Sequence, residues 1–133
     1  MRPVLVDTAV VYALADKADQ AHEAAKTLLA RLLDARTPLL ITVPTVYEAH
    51  RLILYRLGTR AGQRFLAVYS QIYNTVWLTE TYHTQAVALL ERFEDQRISV
   101  TDAANAVVAR ALGATVATFD HHYEMMGLPV VRR

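Results

Sequence analysis

The chain has 133 residues, 53% of them hydrophobic, and no cysteine, which gives it enough apolar surface for one folded domain and excludes disorder, disulfides and thiolate metal sites. No apolar run reaches membrane-spanning length and neither end reads as a signal peptide, so a soluble, cytoplasmic protein is expected. The net charge of +1 says little, but between Ala49 and Thr79 stand four arginines, Arg51, Arg56, Arg60 and Arg64, with no acid. Such a local excess can meet phosphate, or simply form a solvated helix face.

In chain order, Val4 to Val6 predicts a buried strand that ends on Asp7 and Thr8. Val10 to Leu14 starts a helix. Asp19 can cap a longer one, whose Ala21, Ala24, Ala25, Leu28, Leu29 and Leu32 form an apolar stripe. Leu39 to Val43 predicts a second strand between Pro38 and Pro44. The next helix begins at Thr45 and stops at Gly58; its Thr-x-x-Glu start is a capping box that offers Glu48 a structural task. Thr59 to Ile72 is amphipathic, Thr75 to Leu78 predicts a third strand, and Thr81 to Phe93 is again helical. From Ser99, Val107, Val108, Ala111 and Leu112 recur at helical spacing up to Gly113, a C-terminal stop. The β-branched run from Thr115 to Phe119 predicts a fourth strand before Asp120. One or two helical turns over His121 to Met126 and a short strand at Pro129 to Val131 complete the chain.

Strands that alternate with helices and are apolar throughout imply an α/β architecture, a parallel sheet covered on both faces. Right-handed crossovers then bring the carboxyl ends of all strands to one edge, where open α/β sheets bind ligands. Asp7 and Asp120 follow such ends directly, and Glu48 lies in the first turn after the second strand. Asp102 reaches the same edge because only Gly113 and Ala114 separate its helix from a strand running back. Four acids therefore converge. Like charges packed together resist joint ionisation and call for a cation. Mg²⁺ or Mn²⁺ suits carboxylate oxygens, and a metal so held can polarise a phosphoryl oxygen, activate water and stabilise a leaving oxygen. That chemistry fits phosphodiester hydrolysis, with the arginine-bearing helices available to a nucleic acid backbone.

Val4-Leu5-Val6-Asp7-Thr8, Thr45 to Gly58 with Glu48, Ser99-Val100-Thr101-Asp102-Ala103 and Ala117-Thr118-Phe119-Asp120 together resemble a PIN domain over nearly the whole chain. The resemblance is to the small single-domain members that act as VapC-type toxins. It implies a three-layer fold with a central parallel sheet of about four to five strands and helices on both faces, the first strand beside the fourth. It also implies an Mg²⁺- or Mn²⁺-dependent endoribonuclease, acting on RNA, that forms homodimers and is neutralised by a cognate antitoxin. Asp7 and Asp102 would be the principal metal ligands, Glu48 and Asp120 would complete the catalytic site, and Thr8 and Thr118 would orient carboxylates or waters.

Each acid also has a plainer role open to it. Asp7, Asp102 and Asp120 all stand where helix starts favour a carboxylate, but capping alone scatters acids around helix starts and does not gather them on one edge. The histidines fare worse: His121 and His122 point about 100° apart on a helix, and none is assigned to catalysis. Tyr47 is expected to pack. Three rivals remain: a DNA-directed or structure-specific nuclease using the same acids, a phosphoryl-transfer domain with an aspartyl nucleophile, and a non-catalytic PIN-like module that dimerises and binds partners. The second lacks its usual Asp-x-Asp, since Ala9 stands there. The third would be signalled by lost acids, and all four are present.

Overall fold

A computed structural model describes residues 1–132. Alternation along β1 (Val4–Val6) sets the layering: Val4 and Val6 belong to one apolar cluster and Leu5 to the other, as the two-residue period of a strand requires. The first cluster takes in α1 (Thr8–Ala15), α2 (His22–Asp34) and α3 (Val43–Leu57), with Phe65 and Tyr69 of α4 (Thr59–Ile72) packed against it. The second takes in α5 (Glu80–Arg92), α6 (Val100–Leu112) and α7 (His122–Met125). Between them β2 (Leu39–Thr42), β3 (Asn74–Val76), β4 (Thr115–Ala117) and β5 (Val130–Val131) join β1 in one sheet of order β3-β2-β1-β4-β5. Every pairing is parallel, and Val6 aligns with Ala117. The expected α/β sheet, with strand one beside strand four, is therefore present.

Local differences have local causes. Helix α3 starts at Val43, two residues before the Thr45 that the capping box predicts, because Pro44 supplies a fixed φ suited to a first helical turn. Thr45 is thus inside the helix, and its hydroxyl bonds Thr42 and Asn105. Asp19 does not cap α2; it accepts from the backbone N–H of Ala21, one residue ahead of the helix. The third strand begins at Asn74 and ends at Val76, leaving Trp77 exposed. The fourth stops at Ala117, because Thr118 turns the chain by accepting from the N–H of Asp120.

The unit α6–turn–β4 is the one that aligns the site. Ser99 caps α6 through its hydroxyl and Gly113 closes it at φ 65°, a left-handed conformation costly for any residue with a Cβ. Nothing lies within 4 Å of where that Cβ would stand, so the penalty of adding one is torsional alone. Gly113→Ala is expected to lower unfolding stability by about 1 kcal/mol, read as a shift in urea midpoint at unchanged slope.

Candidate functional site

Asp7 occupies the N-cap of α1, at the carboxyl end of β1. One carboxylate oxygen accepts from the N–H of Val10 at 3.1 Å, and the other accepts from the Thr118 hydroxyl at 2.5 Å. The residue is only 4% exposed. Burial pushes its carboxyl up to about 6; the two hydrogen bonds oppose this rise, while Asp102 and Asp120 add to it. Burial also raises Asp102, against hydrogen bonds from Tyr123 and Ser99 and with the charge of Asp120 adding. These three acids feel one another, and the cause is topological: β1 neighbours β4, and α6 starts at the edge where β4 ends.

Asp120 follows β4 and accepts from the N–H of His122 at 2.9 Å, so its plainer role at a helix start is real. Its other oxygen lies 3.2 Å from His122 Nδ1, out of line for a hydrogen bond. Asp102, Asp120 and His122 each present a potential ligand atom, all within 4.8 Å of one another. The sequence argument that His121 and His122 diverge holds, since His121 is fully outside, near Glu124. His122, unlike His121, borders the acids. The available signal was the short interval from Asp120 to His122, which lets the chain fold the imidazole back on the acid.

Glu48 is half-buried in the second turn of α3 and makes no hydrogen bond to the other acids among the described residues. Since Thr45 is not an N-cap, the capping-box role open to Glu48 is not realised. The arginines spread along a hairpin. Arg51 is exposed and lies over the Tyr55 ring, whereas Arg56, in the last turn of α3, lies over Tyr12. Across the 15 residues of α3 this last turn is about 20 Å from the first. Arg60 and Arg64, also exposed, follow on α4. Tyr47 is 66% exposed and does not pack as expected.

Thr118 contacts Asp7 as described. The Thr8 hydroxyl is buried and bonded to nothing among the described residues, next in sequence to Asp7. Hard oxygen donors, carboxyls whose ionisation is opposed by one another, and a buried hydroxyl left without a protein partner fit a hydrated divalent cation of the Mg²⁺ or Mn²⁺ type.

Beneath the acids lies a polar network that the sequence did not disclose. Asn105, fully buried in α6, bonds Thr42, Thr45 and Tyr123, and Tyr123 donates to Asp102 Oδ1 at 3.2 Å. Asn105 sits amid Ala103, Ala104 and Ala106. One polar residue on an otherwise apolar stripe was the available signal.

The PIN domain family pattern matches residues 4–127. Ribonuclease VapC26 of Mycobacterium tuberculosis is 29% identical over 125 residues, covering 90% of this chain and 88% of that protein. The crystal structure of VapC20 of the same organism, described as a sarcin-ricin loop cleaving toxin, superimposes with a TM-score of 0.86 at 26% identity over 98% of this chain and 99% of that one. VapBC2 of Rickettsia felis, solved with a fragment of its promoter DNA, shares the fold at a TM-score of 0.73 and 15% identity, covering 96% and 95% of the two chains.

A carboxyl raised from 3.8 to about 6 corresponds to about 3 kcal/mol of native-state destabilisation once it ionises. The native state then holds the proton more tightly than the unfolded chain, so stability falls as pH rises from about 4 through 6. Asp7→Asn, which keeps a good N-cap, is expected to stabilise the metal-free protein at pH 7.5 and to lose that advantage as pH falls towards 4. Denaturant titrations of both proteins across this range check it.

Proposed function

The chain belongs to the PIN domain family, and on that premise we propose that it is a metal-dependent endoribonuclease, the toxin of a toxin–antitoxin pair, with its whole activity in one domain of residues 1–133. The observation that carries the reading is the meeting of Asp7, Asp102 and Asp120 at one sheet edge, where burial holds Asp7 and Asp102 above their ordinary range. RNA is preferred over DNA as substrate on the strength of the ribonuclease and toxin relatives.

In this reading Asp7, Asp102 and Asp120 hold Mg²⁺ or Mn²⁺, and Glu48 supplies the fourth acid from α3. A bound divalent ion contributes Lewis-acid charge at a phosphodiester oxygen and at attacking water. The protein side of the task is positioning. The N-cap bond from Val10 and the Thr118 hydroxyl hold both oxygens of Asp7, so its orientation is set before substrate arrives. The Asp120 carboxylate is turned by the N–H of His122, and Arg132 binds the Asp120 carbonyl. The imidazole of His122 borders the acids, and the free Thr8 hydroxyl is available to a water. Arg51, on the same helix as Glu48, is placed to meet a backbone phosphate, with Arg56, Arg60 and Arg64 serving a longer substrate.

An antitoxin is the expected protein partner, alongside a second copy of this chain. A cleft of about 390 Å³ between the first four helices, lined by Val11, Leu14, Leu29, Leu57, Val68 and Ile72, offers apolar burial to such a partner. Among the described residues no helix is long and apolar enough to cross a membrane. A cytoplasmic setting goes with the RNA substrate that this reading assigns on the likeness to ribonuclease VapC26.

Purified protein is expected to cleave single-stranded RNA with Mg²⁺ or Mn²⁺, to stop with EDTA and to recover on adding metal back. Asp102→Asn is expected to lose about a hundredfold or more in rate, equivalent to roughly 3 kcal/mol of transition-state stabilisation. Full activity of this variant overturns the assignment, and preferential cutting of DNA redirects it to the DNA nuclease reading. In cells, expression of the wild type without its antitoxin is expected to arrest growth and that of Asp7→Asn is not; growth curves of the two strains decide this.

A further inference from the structure

The phenol of Tyr123 lies between two groups of opposite demand. On one side Asn105 Nδ2 approaches the phenolic oxygen at 3.3 Å; on the other, Asp102 Oδ1 lies 3.2 Å away. An amide nitrogen only donates, so the phenolic oxygen is an acceptor towards Asn105 and its single proton is left for Asp102. The amide is itself oriented from behind. Asn105 Oδ1 accepts from the Thr42 hydroxyl at 2.5 Å, and Asn105 Nδ2 also donates to Thr45 Oγ1 at 3.0 Å. Asn105, Thr42 and Thr45 are fully buried, and so is the Tyr123 ring, so no water competes for these bonds. The chain of bonds thus runs in one direction, from the end of β2 through α6 to α7 and back to the first turn of α6.

We propose that Tyr123 is a positioning residue for metal binding: held by Asn105, it fixes one oxygen of Asp102 and leaves the other available to a cation. The inference deepens the metal-dependent reading above and rests on it. Tyr123 does not touch the reacting atoms. It acts through Asp102, and it works by keeping that carboxylate in one rotamer as an oxygen donor. An ordinary phenol keeps its proton at neutral pH, so the hydroxyl is available as the donor this role needs. A ring needed only for packing would have no use for the hydroxyl, whereas this buried hydroxyl meets a donor on one side and an acceptor on the other.

The test is Tyr123→Phe, which keeps the ring and removes the proton. Binding of Mn²⁺ alone is measured from the free-ion electron paramagnetic resonance signal, with circular dichroism and a thermal melt to verify folding. Tyr123→Phe is expected to weaken Mn²⁺ binding about tenfold or more, and to lower kcat at limiting metal with recovery at high metal and unchanged KM for RNA. Adding Tyr123→Phe to Asp102→Asn is expected to weaken Mn²⁺ binding no further than Asp102→Asn alone, because Tyr123 acts only through Asp102. A Tyr123→Phe protein that binds Mn²⁺ within about twofold of wild type overturns the inference while leaving the nuclease reading intact. Absence of saturable Mn²⁺ binding by the wild type overturns both.

Discussion

Asp7 is a charged group held almost out of water within reach of two other acids, and most of this molecule's site follows from how that is tolerated. The chain does not neutralise it with a basic side chain: among the described residues its partners are the Val10 N–H and the Thr118 hydroxyl. Dipoles of this kind restrain the carboxylate's direction without satisfying its charge. In the reading proposed above, that deficit is left for a cation, whose binding would remove an unfavourable term from the free protein. Sites of this sort trade stability for affinity.

The same logic runs through the polar network beneath. Two apolar layers on opposite faces of a sheet have no reason to agree on the relative placement of α3 and α6 to better than packing tolerance. Thr42 and Thr45 bonding Asn105 supply a directional link between these helices where they meet at the sheet edge. Directional bonds in a dry interior tie position more tightly than area burial does. Asp102, three residues ahead of Asn105 in the first turn of α6, inherits that placement.

Much of the fold was legible because it depends on pattern. Continuous apolar runs marked the strands and 3.6-residue spacing the helices, and parallel topology with right-handed crossovers brought Asp7, Asp102 and Asp120 to one edge without any knowledge of contacts. What stayed hidden depends on side-chain direction. Pro44 let α3 begin early and so changed what Thr45 does. His122 turns back on Asp120 through a local backbone bond. Tyr123 reads as one more aromatic of the core until its hydroxyl is seen against Asp102. The arginines depend on direction too. A charge excess in the sequence leaves phosphate and solvent equally open to them, and helix length carries Arg56 to the far end of α3, over Tyr12.

The outermost strands are short: β3 has three residues and β5 has two. An exposed sheet margin recruits another chain only if it offers a run of unpaired backbone groups, and these margins offer almost none. Lengthening the sheet across a boundary between copies is thereby discouraged. Side-chain surfaces, which unlike backbone can discriminate one partner from another, are what the chain offers instead.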